Sequence, residues 1–394
     1  MNRGRAQTRP RFFMRRIYLD NAATTPLSEE ARAAMQPFWT ERFGNADSRH
    51  SFGRDAAAAL AAARSRVAEC LGAHADEVYF TSGGTESDNW ALKGAAFAHG
   101  KGRVIVSAVE HPAVYESARQ LERLGFALTV LPVDGEGFVC PQSLADAMGH
   151  DVFLVSVMTA GNETGSVQPV RELADIAHSR GALFHTDAVQ AAGAMPLNVR
   201  EIGCDMLSLS AHKFGGPKGC GVLYVKNGVR LEALHSGGEQ ERGKRGGTSD
   251  VAGACGTAAA LAEVTADMKN ECARVRALKD AFAKRVLQDI DGAVLHGTLD
   301  EKRSLPGIVN LGFEGVTGEE LLFSLDLAGI AASNGSACSA GSAEPSRTLL
   351  AMGLTPAKAK GAVRFSFGRG NTPEDADAAF AALKSITERL RRGA

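Results

Sequence analysis

The chain has 394 residues, a formal net charge of −1 and 44% hydrophobic residues. These values are typical of a globular protein with a sizeable core and room for two domains. A net charge near zero argues against bulk electrostatic binding to nucleic acid or to an anionic membrane, and the longest apolar runs are too short to cross a bilayer.

The first sixteen residues carry six arginines and no acidic residue, and they lack the apolar segment of a secretory signal. We interpret residues 1–16 as a disordered leader or as an over-long start before Met14, with an organelle transit peptide as the alternative. The seven cysteines contain no Cys-x-x-Cys pair. This composition predicts reduced thiols in the cytoplasm, with neither a disulfide framework nor a zinc site.

A helical pattern at 54–71 ends at Gly72, and from about residue 78 to residue 225 short apolar runs then alternate with helical patterns. The apolar runs predict strands at 78–81, 103–107, 128–132, 152–158, 182–186, 206–210 and 221–225. Strands separated by helices, such as those predicted at 112–124 and 170–179, form a mostly parallel sheet covered on both faces. Ligands bind at the carboxyl ends of such strands, so we expect functional residues directly after these runs.

The pattern changes after about residue 256. A long helical stretch at 261–287 precedes a mixed region and a closing helix that begins at Pro373. We therefore predict a large α/β domain over residues 17–256 and a smaller α+β domain over residues 257–394. The first dozen residues of the large domain are candidates for packing on the small one.

A glycine-containing turn at 81–87 follows the first of these strands and opens a helix. Its glycines let the backbone approach an anion, and the free N–H groups and positive dipole end of the helix favour phosphate. Ser82 and Thr85 add hydroxyl groups. The segment is neither a Walker loop nor a Gly-x-Gly-x-x-Gly fingerprint, which argues against a nucleotide site. A plain capped turn is the alternative interpretation.

Polar residues also follow two later strands, with Asp187 after one and Lys213 after the other. A lysine at a strand end beside a phosphate site suits a Schiff base with an aldehyde cofactor. Such a cofactor needs an acidic partner that keeps its pyridine nitrogen protonated, and Asp187 is the candidate. Taken singly, a surface lysine and a helix cap are the alternatives.

These motifs belong to a longer series that runs in order over nearly the whole chain after residue 16: YLDNAATT (18–25), FGN (43–45), TSGGTES (81–87), EHP (110–112), NETG (162–165), HTDAVQ (185–190), SAHK (210–213), GPKG (216–219), the segment 237–248, SAC (336–338) and VRFS (363–366). The series resembles the pyridoxal-phosphate cysteine desulfurases of the nitrogen-fixation and iron–sulfur-cluster type, within the class-V aminotransferases. The resemblance implies the aspartate-aminotransferase-like fold, fold type I. Two positions depart from the family pattern: Gly161, where Asn is usual, and Asn334, where Ser is usual.

The resemblance also implies roles for single residues around pyridoxal phosphate. Lys213 would bind the cofactor covalently, Asp187 would pair with its pyridine nitrogen, and Gln190 would contact its phenolic oxygen. His111 would stack on the ring and act as an acid and base, a role that suits the pKa range of histidine. The residues implied to bind the cofactor phosphate are Gly84, Thr85, Ser210 and His212, with Thr248 reaching the phosphate of the other subunit of a homodimer.

Asn162 would contact the cofactor and, with Arg364, would hold the substrate carboxylate. An arginine suits a free amino acid because its planar fork binds a carboxylate with two hydrogen bonds, although a surface ion pair is the alternative. Cys338 lies in a stretch of small residues, 331–342, that offers few anchoring side chains. A thiol in such a stretch suits a reactive role better than a packing role, with a bystander as the alternative.

We therefore predict a cytoplasmic enzyme that converts L-cysteine to L-alanine and leaves a persulfide on Cys338 for an acceptor such as an iron–sulfur scaffold protein. A selenocysteine lyase or an aminotransferase would use the same fold, and a lyase need not depend on a cysteine nucleophile. A non-catalytic scaffold is disfavoured because every group that the chemistry requires is present. A metal-dependent enzyme is disfavoured because no recognised spacing of His and acidic ligands occurs.

Overall fold

The computed structural model describes residues 16–334 and 344–393. The strands in these ranges are β1 (Ile17–Tyr18), β2 (Val78–Thr81), β3 (Arg103–Ser107), β4 (Ala127–Leu131), β5 (Val152–Ser156), β6 (Leu183–Asp187), β7 (Met206–Ser210), β8 (Gly221–Val225), β9 (Ala293–His296), β10 (Ile308–Phe313), β11 (Ile330–Ala331) and β12 (Ala362–Ser366). The helices are α1 (Glu29–Met35), α2 (Pro37–Thr40), α3 (Ser51–Leu71), α4 (Gly84–His99), α5 (Pro112–Arg123), α6 (Pro141–Ala147), α7 (Val170–Ser179), α8 (Val199–Ile202), α9 (Gln240–Gly243), α10 (Val251–Ala266), α11 (Met268–Asp289), α12 (Gly318–Leu327), α13 (Arg347–Ala351), α14 (Pro356–Lys360) and α15 (Pro373–Gly393). Among them, none combines the length and the apolar character that crossing a bilayer requires.

The largest sheet has the strand order β2-β8-β7-β6-β5-β3-β4. Strands β7, β6, β5, β3 and β4 are parallel to one another, whereas β8 is antiparallel to both of its neighbours. Side chains alternate between the two faces, so Ile105 belongs to one buried cluster and Val104 and Val106 to another. The prediction of a mostly parallel sheet covered on both faces is confirmed.

A second, antiparallel sheet has the order β12-β10-β9 and lies in the C-terminal third of the chain. Helices α11, α12 and α15 supply its own core, in which Phe282 contacts Phe365 and Phe367. Strand β1 pairs in parallel with β11, and Ile17 and Leu19 belong to this second core. The predicted domain boundary after residue 256 falls inside α10, and the division at that residue stays a prediction.

The strands predicted in the large sheet agree with the structure to within two residues at each end. The single helix predicted at 261–287 is wrong, because α10 and α11 are separate helices that meet at Asp267. Asp267 has φ −111° and ψ 16°, and its carboxylate accepts a hydrogen bond from the Asn270 side chain. Short acidic side chains favour such helix ends because they compete for local hydrogen bonds.

Candidate active site

A cavity of about 500 Å³ opens at the carboxyl ends of the parallel strands. Its walls come from the segments that follow β2, β3, β5, β6 and β7, together with β12 of the smaller sheet. The residues predicted from sequence that line it are Gly84, Thr85, His111, Asn162, Asp187, Gln190, Ser210, His212, Lys213 and Arg364. The fold therefore brings together residues that are up to 280 positions apart in the sequence.

Two predicted site residues are not among those lining this cavity. Thr248 lines a neighbouring cavity of about 80 Å³, which shares Ser82 with the first. Arg245, three residues before Thr248, donates from Nε to Glu86 Oε1 at 2.8 Å and so ties this segment to the first turn of α4. Cys338 lies outside the described residues.

The turn before α4 has the features of an anion site. Gly83 has φ 153°, a region that favours glycine, and as the N-cap residue of the 16-residue helix it provides no side-chain cap. Strand β8 passes so close that a Cβ atom at Gly221 would lie 2.6 Å from the backbone of Gly83. Because the first N–H groups of a helix lack intrahelical acceptors, this end can bind a phosphate beside the hydroxyl groups of Thr85 and Ser210.

Lys213 ends a 3-10 turn directly after β7. Its Nζ donates to the carbonyl oxygens of Ala22 at 2.6 Å and Ala23 at 2.9 Å. Gln190 Nε2 also donates to the Ala22 oxygen, at 2.9 Å. The backbone of the 18–25 motif thus fixes the position of the lysine amine at the wall of the cavity.

Two buried carboxyl groups lie close together at the base of the site. Asp187 accepts a hydrogen bond from the Val189 N–H at 2.9 Å, and Asp88 lies one turn into α4. One ligand atom from each of Asp88, His111 and Asp187 lies within 4.8 Å of the others. Burial and the neighbouring Asp187 raise the pKa of Asp88 well above its ordinary value. One charge can therefore reside on Asp187 while Asp88 stays protonated, which suits pairing with a single cationic nitrogen.

His111 is the N-cap residue of α5, and its Nδ1 accepts a hydrogen bond from the Ala113 N–H at 3.1 Å. An accepting Nδ1 leaves the proton of the neutral ring on Nε2. Burial lowers the pKa of His111, and the charges of Lys213 and Arg347 lower it further against the opposing effect of Asp187. The imidazole is therefore neutral near pH 7 and can take up a proton.

Arg364 is almost fully buried on β12 and lies at the meeting of the two sheets. Its Nη1 donates to the Asn162 carbonyl at 2.9 Å, and its Nη2 donates to Asp20 Oδ1 at 2.8 Å. The surface ion pair considered from sequence does not apply, because the side chain is only 2% exposed. A buried guanidinium beside the cavity suits recognition of a carboxylate.

Sequence analysis did not single out Asp88 or the pairing of Arg364 with Asp20. The spacing of Asp88 was the signal that could have found it. It lies four residues after the cavity-lining Gly84, and residues four apart share one face of a helix. The Asp20–Arg364 pair spans 344 residues, and no local pattern predicts it. The absence of a metal centre stays a prediction, since Asp88, His111 and Asp187 form a group that could bind an ion.

The donor set of the cavity fits pyridoxal phosphate. The N terminus of α4 matches the phosphate, the amine of Lys213 matches the aldehyde, and the buried carboxylate of Asp187 matches the ring nitrogen. Asp88 adds a second buried carboxyl group beside Asp187, and its Oδ1 lies 3.7 Å from Nε2 of the buried His185.

The chain matches the class-V aminotransferase family over residues 17–379. It is 47% identical over 379 residues to the cysteine desulfurase IscS of Dictyoglomus turgidum, with 96% of each chain covered. Among solved structures, a NifS-like protein has a TM-score of 0.88 at 36% identity, covering 95% of this chain and 99% of its own. A structure of SspA in complex with cysteine has a TM-score of 0.79 at 33% identity, covering 89% and 99% respectively.

Proposed function

The chain belongs to the class-V aminotransferase family and is a pyridoxal-phosphate-dependent cysteine desulfurase of fold type I, and from this premise we propose which of its residues carry the reaction. What supports the proposal is the convergence of Lys213, Asp187, His111 and the N terminus of α4 on one cavity. These groups have the chemistry that the cofactor needs, and their positions follow from the strand ends that carry them.

When bound, pyridoxal phosphate supplies an electron sink for a substrate that has lost its α-proton. We assign the covalent link to Lys213, the partner of the ring nitrogen to Asp187, the contact to the phenolic oxygen to Gln190 and a further cofactor contact to Asn162. His111 would cover the face of the cofactor ring. The residues assigned to the phosphate are Gly84, Thr85, Ser210 and His212.

Arg364 and Asn162 bind the carboxylate of L-cysteine in this proposal. The amine of Lys213 would take the proton from the substrate Cα. The neutral imidazole of His111 is the second group that can accept and return a proton. Lysine and histidine thus share the proton transfers, while arginine fixes the substrate.

We assign the sulfur-accepting thiol to Cys338, which the structure does not describe. The described cysteines suit this role poorly, because burial raises the pKa of five of them and so disfavours the reactive thiolate: Cys70, Cys204, Cys220, Cys255 and Cys272. The sixth, Cys140, is exposed but does not line the cavity. Attack by the thiolate forms a sulfur–sulfur bond and breaks the substrate Cβ–S bond. The electron pair stays on the three-carbon fragment, which is protonated and leaves as L-alanine, so no external oxidant is needed.

The proposal also includes a cytoplasmic homodimer and an acceptor protein such as an iron–sulfur scaffold. Thr248 does not line the cofactor cavity of its own chain, which suits a contact to the phosphate of the other subunit. The exposed aromatic side chains of Trp39, Phe43 and Phe52 offer an apolar surface of the kind that association buries.

Incubation with L-cysteine and pyridoxal phosphate, with assay of alanine and sulfide, tests the assignment of Cys338. We expect mass spectrometry to find additional sulfur on Cys338. We also expect Cys338→Ala to bind cofactor and cysteine but to release no alanine over multiple turnovers. Cys140→Ala is the matched control, because it removes an exposed thiol away from the cavity. Normal turnover by Cys338→Ala would exclude the proposed thiol. Borohydride trapping of the cofactor on a lysine other than Lys213 would exclude the proposed site.

A further inference from the structure

Arg347 links the C-terminal part of the chain to the turn that carries His111. It is the first residue of α13, yet its guanidinium reaches the segment between β3 and α5. Nη1 donates to the Ala108 carbonyl at 3.0 Å, and Nη2 donates to the Glu110 carbonyl. The planar fork of arginine thus binds two carbonyl oxygens of the residues just before His111, a geometry that lysine cannot reproduce.

The same guanidinium also contacts the helix that follows His111. It lies over the ring of Tyr115 with 3.8 Å between Cζ and the ring centroid, a cation–π contact. Tyr115 is in the first turn of α5, and its N–H donates to the His111 carbonyl at 3.1 Å. Arg347 therefore contacts the backbone on one side of His111 and the helix on the other.

Contacts of the preceding residue, Ser346, fix the backbone of Arg347 in place. Ser346 Oγ donates to Glu163 Oε2 at 2.5 Å and caps α13 by accepting from the Leu349 N–H at 3.1 Å. Glu163 is buried and follows Asn162 of the cavity wall. Because the preceding residue is bound in this way, the position of Arg347 is set by the same part of the molecule that forms the substrate side of the cavity.

We propose that Arg347 is a positioning residue that fixes the orientation of His111 through the 108–110 segment and Tyr115. The proposal rests on the proposed function, in which His111 covers the cofactor ring. It goes beyond that function because Arg347 does not line the cavity and touches none of the reacting atoms.

The charge of Arg347 has a second, separable effect. The positive guanidinium disfavours protonation of His111, so it helps keep the imidazole neutral. The acid at residue 110 does not cancel this charge near pH 7, because burial raises the pKa of Glu110 to about 8. Among the described residues, the charged or titratable groups close to His111 or its turn are Asp88, Glu110, Tyr115, Asp187, Lys213 and Arg347.

Two substitutions separate orientation from charge. Arg347→Lys keeps the charge but loses the planar fork, and Arg347→Met loses both. Arg303→Met is the matched control, because Arg303 also lies 3.9 Å over an aromatic ring, that of Phe138, and pairs with Glu136 away from the cavity. Arg347→Lys also keeps the test usable should the methionine variant fold poorly.

Hydrogen–deuterium exchange at the C2 position of histidines, measured by mass spectrometry on the protein without cofactor, reports on His111 directly. We expect faster exchange at His111 in both Arg347 variants, because the ring is less firmly held. The pH midpoint of this exchange should rise only in Arg347→Met, because that variant alone loses the positive charge. Exposed His150 serves as the internal reference and should exchange equally in all variants.

In the loaded enzyme we expect kcat/KM for L-cysteine to fall roughly 10- to 100-fold in both variants, as for a misplaced catalytic group. KM should change little, because Arg364 and Asn162 are untouched, and the acidic limb of the pH profile should shift upward only in Arg347→Met. The proposal is overturned if His111→Gln lowers turnover while both Arg347 variants keep wild-type exchange at His111 and wild-type kcat/KM. Wild-type turnover by His111→Gln would instead refute the role of His111 in the proposed function.

Discussion

Asp20→Asn tests whether the buried pair between Asp20 and Arg364 sets both the stability of the smaller sheet and the affinity of the substrate site. The pair measures 2.8 Å, with the arginine 2% and the aspartate 18% exposed. Removing one partner of a fully buried pair costs about 3–5 kcal/mol. Asn keeps an acceptor oxygen at the same place, and Asp20 retains some contact with water. We therefore expect the free energy of unfolding to fall by about 2 kcal/mol.

The assay is urea unfolding of the protein without cofactor, and the control is Asp377→Asn. The Arg285–Asp377 pair has the same 2.8 Å distance but side chains that are 47% and 72% exposed, so its loss should cost less than about 1 kcal/mol. Equal effects of the two substitutions would refute the reasoning, since the two pairs have the same length and differ strongly in burial.

Asp20→Asn should lower the stability of the protein but strengthen the binding of a carboxylate ligand. Without the Asp20 charge, Arg364 has one anionic partner fewer, and a carboxylate ligand can take that place. We expect the product L-alanine to raise the melting temperature of Asp20→Asn by more than that of the wild type when both are loaded with cofactor. A smaller rise would show that Arg364 does not hold the carboxylate.

Two further predictions concern Glu110 and Gly221. Burial raises the pKa of Glu110 from 4.5 to about 8, so the folded state binds its proton more tightly than the unfolded state does and stability falls as the pH rises between these values. Glu110→Gln should flatten this part of the profile in urea unfolding from pH 5 to pH 8, and an unchanged slope would contradict the assignment. Gly221→Ala should displace the backbone of Gly83, weaken the affinity for pyridoxal phosphate by roughly tenfold and cost about 1–3 kcal/mol of stability, measured by cofactor titration and thermal unfolding. Gly135→Ala is its control, because apart from the chain neighbours no described atom lies within 4 Å of a Cβ placed there, and equal losses in both variants would refute the steric reasoning.

The large sheet was predictable because its signals are local. Apolar runs and the turn residues between them predicted the strands from β2 to β8 to within two residues, and the polar residues at their ends predicted the cavity. Helix ends inside a continuous helical pattern were harder. The break at Asp267 was missed because one unfavourable residue barely changes a pattern that extends over more than twenty.

Pairings between residues that are far apart in the sequence could not be predicted from the sequence. The contacts of Arg347 with the carbonyls of Ala108 and Glu110 span more than 230 residues. In the sequence alone, Arg347 looks like an ordinary surface arginine. The closeness of Asp88 to Asp187 depends on how α4 packs against β6 and β7, which is a property of the assembled sheet. The residues that line the cavity were predictable from the strand ends, whereas the residues that hold them in place were not.

The 18–25 motif explains how one short segment serves both halves of the site. Its carbonyls at Ala22 and Ala23 hold the amine of Lys213, and its carboxylate at Asp20 holds Arg364. Strand β1, which includes the first residue of the motif, is paired with β11 of the C-terminal part. The same short segment therefore binds Lys213, which follows the larger sheet, and Arg364, which lies on the smaller one. In the proposed function, the arginine that binds the substrate and the lysine that binds the cofactor are thus positioned by one segment.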